Sequence, residues 1–177
     1  MRKQQEIKIE RIEEFQIHST LRQAISNLLK DSFQGYPNDR IFYKQLPAFR
    51  FLAWSNGNLI GHLGIEHRII NNAGQLLNIF GIVDLCVHLA HQHQKIATRL
   101  LKKVENLATS NHIDFLLLNA SEHNLYESNG FACVQAKCRW LLINKHQTLG
   151  VADRTLKQTI MIKRLGNKEW QNGPLDF

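Results

Sequence analysis

The chain predicts a mixed α/β (α+β) fold: a central sheet of mostly antiparallel strands with one splayed parallel pair, flanked by helices. Three observations carry this expectation. Residues 51–87 alternate apolar runs with tight turns, the pattern of an antiparallel strand series. The stretch from Ile82 to Val104 reads as an apolar strand, a short polar loop and an amphipathic helix. The short apolar run Asp114-Phe115-Leu116-Leu117-Leu118 then follows, and a strand–helix–strand crossover sets it parallel to the strand ending at Val87.

Taken in order, the chain opens basic, and Ile7, Ile9 and Ile12 indicate a first strand. Ser19 to Phe33 is a helix with Leu21, Ile25, Leu28, Leu29 and Phe33 as its buried stripe and Thr20 with Gln23 as a capping box. Gly35 and Pro37 end it, and Asn38 to Lys44 suggests a short second helix. Phe51 to Trp54 is a strand, Ser55-Asn56-Gly57-Asn58 a hairpin turn and Leu59 to Ile70 its partner, because Asn-Gly tolerates the positive φ angles of such turns. A turn at Asn71 to Gly74 leads into a long strand from Gln75 to Val87, with Gly81 a candidate bulge. Ile96, Leu100, Leu101, Val104, Leu107 and Ala108 give the next helix one apolar face. Beyond Leu118 come a short helix bearing Tyr126, a Gly130 suited to a helix C-cap, and closing strands at Cys133–Cys138, Trp140–Ile143 and Thr159–Lys163. Trp170 and Phe177 suggest that the tail docks on the rest, and they are also where two subunits would pair in a homodimer.

A chain of 177 residues with 44% hydrophobic and 21% charged residues fits one globular domain, 1–177, with a full core. The net charge of +7 suits a polyanionic ligand such as a nucleotide-bearing cofactor. The basic residues are scattered and no nucleic-acid motif is present, so no nucleic-acid partner is expected. No apolar run approaches the roughly 20 residues that span a bilayer, so no membrane partner is expected either. Cys86, Cys133 and Cys138 lack CxxC spacing, and with no signal peptide this points to the reducing cytoplasm.

A strand that ends in a loop and feeds a helix makes an anion site, since the first helical amides lack internal partners and the helix dipole is positive there. That places a phosphorylated group on residues Gln92 to Thr98. His88, His91 and His93 lack a strong fourth ligand and known metal spacing, so no metal is expected. Cys86, mid-strand, reads as inert core rather than a nucleophile.

Two signatures resemble the GCN5-related N-acetyltransferase (GNAT) family. Val87 is followed five residues later by Gln92-His93-Gln94-Lys95-Ile96-Ala97, similar to the family's Gln/Arg-x-x-Gly-x-Gly/Ala loop; Leu125-Tyr126-Glu127-Ser128-Asn129-Gly130-Phe131 resembles its Tyr-Glu-x-x-Gly-Phe segment. The resemblance covers roughly residues 20–163 and implies the GNAT fold with acetyl-CoA as co-substrate. It implies a donor site at Leu85, Cys86, Val87, Gln92, His93, Gln94, Lys95, Ile96, Ala97, Thr98 and Asn119, with Tyr126 as general acid for the CoA thiolate. Lys95 departs from the pattern, standing where the family has glycine. So does the central strand: the family's Glu positions are Gly81 and Val83 here, leaving Asp84 as the base if a bulge rephases the strand.

Two subgroups come closer. Aminoglycoside 2′-N-acetyltransferases share the basic residue at Lys95, a strand like Ile60-Gly61-His62 and a tail with Trp170 and Asp176. Nodulation-type N-acyltransferases resemble Gly61-His62-Leu63-Gly64 and Asn172-Gly173-Pro174 but lack the tyrosine. The expected reaction is direct acetyl transfer to a primary amine of a small molecule, an amino sugar in the first subgroup's pattern, with Asp153 and Asp176 as acceptor-binding carboxylates. The alternatives are a non-catalytic module that binds CoA or a polyanion, and a longer-chain N-acyltransferase.

Overall fold

The computed structural model describes residues 6–177; the basic opening at residues 1–5 lies outside the described residues. The elements are β1 (Ile7–Glu13), a 3-10 turn (Glu14–Gln16), α1 (Ser19–Ser32), β2 (Phe49–Ser55), β3 (Asn58–Asn72), β4 (Gln75–Val87) and a second 3-10 turn (Leu89–His91). They continue with α2 (Ile96–Ser110), β5 (Phe115–Asn119), α3 (Asn124–Glu127), β6 (Ala132–Asn144), β7 (Gln147–Arg164) and β8 (Pro174–Asp176). The residues group into two compact units, one reaching Glu66 and adding Ile82–Val104, the other His67–Gly81 with Glu105–Phe177.

In the first unit the strand order is β1-β2-β3-β4. β1 runs antiparallel to β2 from Ile7↔Ser55 to Glu13↔Phe49, and β2 antiparallel to β3 from Phe49↔Ile65 to Ser55↔Asn58. The connecting turn places Asn56 at φ 49° and Gly57 at φ 77°, the primed-turn geometry expected for Asn-Gly. α1 buries Leu21, Ile25, Leu28 and Leu29 in a cluster with Tyr36, Ile41, Leu52 and Cys86. Gly61 lets α2 approach closely, because a Cβ there would meet Ile96 Cγ2 at 3.2 Å and Leu100 Cδ1 at 3.3 Å.

In the second unit the order is β4-β5-β7-β6-β8, with β8 also against β3. β5 is parallel to β4 over Ile79↔Phe115, Phe80↔Leu116 and Gly81↔Leu117, the parallel pairing the crossover predicts. The core there joins Ile70, Leu77, Ile79, Phe115, Leu117, Ile160, Ile162 and Leu175. The tail docks as expected: Trp170 packs on this core, its ring 5.7 Å from that of Phe115.

Three local expectations differ. The helix N-cap is His18, whose Nδ1 accepts from the Leu21 amide at 3.4 Å, so Thr20 lies inside α1 and no Thr20–Gln23 box forms. Asn38 to Lys44 is not helical: Ile41 is its one buried apolar anchor, and the Ile41 carbonyl accepts from Arg50 rather than from a helical amide. Finally, β6 and β7 form one long hairpin through Lys145 (φ 46°) and His146 (φ 61°), absorbing the segment 144–158. Its outer arm is exposed on both faces and so lacks the alternation that marks a half-buried strand; Leu141, Leu149 and Val151 all face solvent.

Candidate active site

β4 is irregular at Asp84 rather than at Gly81. Asp84 sits at φ 53°, while Gly81 is not among the positive-φ glycines. Aspartate tolerates this region better than most residues because its short polar side chain bonds locally. The kink has a consequence for direction. Val83 packs toward Gly64, where a Cβ would meet its Cγ2 at 2.9 Å. The Asp84 carboxylate meets Tyr36, which packs in the cluster of α1 with Leu52 and Cys86, and Leu52 stands opposite His62, two residues from Gly64 on that same face. Two successive side chains thus share one face, as a bulge allows and a regular strand forbids.

Asp84 is held at two points. Its carboxylate Oδ2 accepts from the Tyr36 hydroxyl at 2.7 Å, and its carbonyl oxygen lies 2.7 Å from His62 Nδ1. Behind His62 stands Arg50, fully buried, with Nη1 at 2.8 Å from His62 Nε2. A guanidinium only donates, so Nε2 accepts and Nδ1 carries the proton that His62 donates to the Asp84 carbonyl. The other Arg50 donors reach Glu14 (2.6 and 3.2 Å) and the Ile41 carbonyl (2.8 Å). Burial, and then the Arg50 charge, push the His62 pKa down to about 3, so the ring is neutral at physiological pH. Burial raises the Asp84 pKa, against the lowering influence of the Tyr36 hydrogen bond and Arg50. Tyr36 is itself raised by burial and by Asp84, and it keeps its proton. Sequence reasoning named Asp84 but missed Tyr36, Arg50 and Glu14. The available signal was an arginine inside the apolar run Phe49-Arg50-Phe51-Leu52, since a charge there requires partners.

The strand ends with Leu85 half-buried, Cys86 buried and Val87 half-buried. Burial pushes the Cys86 thiol up to about 12, which keeps it protonated and inert. The second 3-10 turn follows, and the Gln92 side chain bonds back to the Val87 carbonyl at 3.3 Å. His93 sits at φ 61° and Lys95 at φ 60°. Lys95 therefore adopts a left-handed backbone that glycine takes freely, at a steric cost of roughly 1–2 kcal/mol for an L-residue. The first helical bond of α2 runs from the Arg99 amide to the Lys95 carbonyl at 3.0 Å. Ile96 and Ala97 precede it, at the positive end of the helix dipole. Gln92, His93, Gln94 and Lys95 are exposed, Ile96 is buried, and Ala97 and Thr98 are half-buried. The first unit thus brings together Asp84 to Val87 and Gln92 to Thr98.

The remaining candidates lie in the second unit. Asn119 ends β5, exposed. Tyr126 is half-buried on α3 with its ring 5.9 Å from that of Phe131, and burial raises its pKa. Gly130 follows at φ 82° and the Phe131 amide bonds the Tyr126 carbonyl at 3.0 Å, closing α3 as the sequence predicts. Asp153 lies within β7, opposite Arg139 and 3.4 Å from Lys137 Nζ. Asp176 lies in β8, where Arg139 grips it with two hydrogen bonds of 2.6 and 2.7 Å and holds its carboxyl below the usual carboxylate range.

Residues 16–134 match the family model of the acetyltransferase (GNAT) domain. No curated protein matches the chain. Among solved structures, the fold is similar to a GNAT family N-acetyltransferase of Escherichia coli in complex with CoA (17% identity, 98% of this chain, 89% of that chain, TM-score 0.66). It is also similar to an acyl-CoA N-acyltransferase of Pseudomonas aeruginosa (14% identity, 89% of this chain, 99% of that chain, TM-score 0.60). A third is an IAA acetyltransferase of Bacillus cereus (14% identity, 90% of this chain, 100% of that chain, TM-score 0.57). With the family model spanning most of the chain and a sheet of mostly antiparallel strands that holds one parallel pair, the chain belongs to the GNAT family of acyl-CoA-dependent N-acyltransferases.

Proposed function

We propose that this N-acyltransferase moves acetyl from acetyl-CoA to a primary amine of a small molecule in one ternary complex. The observation that carries the donor assignment is the loop Gln92–Thr98. Its two left-handed residues and the helix end behind them have the backbone form of an anion-binding turn. The similar E. coli enzyme described in complex with CoA supports the same reading. For the acceptor, the first unit holds a cavity of about 370 Å³ lined in part by Asp31, Asn27, Asn58 and His91. Its size and single carboxylate suit a small amine, an amino sugar among them. The three free cysteines support a cytoplasmic setting.

Acetyl-CoA supplies the activated acyl group as a thioester. Asp84 is the base in this reading: Tyr36 takes Oδ2, and Oδ1 accepts the proton of the incoming amine. Burial makes its carboxylate a stronger base than a surface one. Main-chain amides of Leu85 to Val87 hold the acyl arm. Tyr126 is the acid that the resemblance to the family's Tyr-Glu-x-x-Gly-Phe segment implies for the departing thiolate, and burial keeps it protonated. A thiolate whose acid has a pKa near 8.5 leaves with modest help, so Tyr126→Phe is expected to lower kcat only about 10- to 100-fold, with CoA affinity unchanged. Steady-state kinetics with calorimetry check this, and an unchanged kcat would remove Tyr126 from the chemistry.

The donor assignment is tested by calorimetric titration with acetyl-CoA. The parent protein is expected to bind at micromolar levels. Lys95→Glu should weaken binding about tenfold, whereas Lys95→Gly should stay within about threefold of the parent, since relief of the left-handed strain offsets the lost charge. No binding by the parent protein would sink the proposed function.

A further inference from the structure

We propose that Tyr36 and His62 are positioning residues for Asp84, one setting its side chain and the other its main chain, with Arg50 and Glu14 holding His62 in its working tautomer. The inference rests on the reading of Asp84 as base and goes beyond it, since neither residue touches a reacting atom. The geometry separates the two roles. Tyr36 bonds the carboxylate at Oδ2, 2.7 Å away, and so fixes which oxygen is open. His62 bonds the carbonyl at 2.7 Å, and a carbonyl so held resists rotation of the left-handed backbone toward an extended strand. His62 can do this only with its proton on Nδ1, which the Arg50 contact at 2.8 Å imposes. Arg50 in turn is fixed by Glu14 and by the Ile41 carbonyl. The bonds run in one chain from Glu14 through Arg50 and His62 to Asp84 and Tyr36, buried at Arg50 and His62 and part-buried at its ends.

The titratable and charged groups around Asp84 are Tyr36 after α1, Arg50 on β2, neutral His62 on β3, Glu14 paired to Arg50, and Cys86 on its own strand. Of these, Tyr36 and Arg50 lower the Asp84 pKa and oppose burial. Removing the Tyr36 hydroxyl removes one of the two, so Asp84 deprotonates at higher pH.

The test follows the Asp84 carboxyl by carbon NMR across pH in the free protein, together with the pH profile of kcat/KM. In Tyr36→Phe the Asp84 midpoint moves upward, and the acid limb of the profile moves upward with it. His62→Leu lowers kcat about tenfold or more with KM for acetyl-CoA unchanged, and His62→Asn, whose amide donates near the Nδ1 position, recovers most of the loss. An unmoved Asp84 midpoint in Tyr36→Phe would overturn the side-chain role. A folded His62→Leu with parental kcat would overturn the main-chain role; if that variant does not fold, His62→Asn against His62→Gln decides, with Gln expected to be the slower. Should Asp84→Asn keep full activity while Tyr36→Phe still shifts the midpoint, the positioning holds and the base assignment alone falls.

Discussion

Asp84→Asn is expected to lower kcat by roughly 10²–10⁴-fold, the range for loss of a positioned general base. The exchange is unusually clean. Asparagine accepts the left-handed backbone as readily as aspartate, so φ 53° is kept. The amide oxygen still accepts from Tyr36, and the main-chain carbonyl still meets His62. Only the ability to take a proton is lost. The melting temperature and acetyl-CoA affinity should therefore match the parent protein while turnover collapses. Stopped assays across pH supply a second check, because the parental acid limb should be absent from whatever rate remains. Turnover within about threefold of the parent would move the base elsewhere.

Arg50→Met is expected to cost about 3–5 kcal/mol of unfolding free energy, the scale seen when one member of a buried ion pair is removed. The side chain of Arg50 is fully buried and that of Glu14 is only 11% exposed. Methionine leaves the Glu14 carboxylate, the Ile41 carbonyl and His62 Nε2 without their donor. Urea unfolding measures the loss. Adding Glu14→Gln should return part of it, because the stranded charge is then gone. A loss under about 1 kcal/mol would mean that water reaches this cluster and that Arg50 is not its structural centre.

Much of the architecture was legible because it rests on local periodicity. The alternating runs and the Asn-Gly turn marked β2 to β4, the apolar stripe marked α2, and the crossover fixed the sense of β5. The outer part of β7, residues 147–158, escaped because a strand exposed on both faces carries no alternation. In the candidate site, the loop motif was readable as a motif, and its conformation was not: a lysine at φ 60° contradicts its own backbone preference. The cluster behind Asp84 left one trace in the sequence, an arginine within an apolar run, and no more. Glu14, Tyr36, Arg50, His62 and Asp84 are scattered over seventy residues of sequence, on a turn, a loop and three strands, and meet only in the folded chain.

The kink in β4 also narrows the alphabet available at residue 84. Glycine and asparagine would keep the backbone, and each lies one base change from an aspartate codon, yet neither can take a proton. Glutamate keeps the charge but pays for a left-handed backbone with a longer side chain that overshoots Tyr36. With Asp84 as the proposed base, shape and reactivity intersect on a single amino acid, and a change of this codon to asparagine or glycine is expected to leave an intact, silent protein.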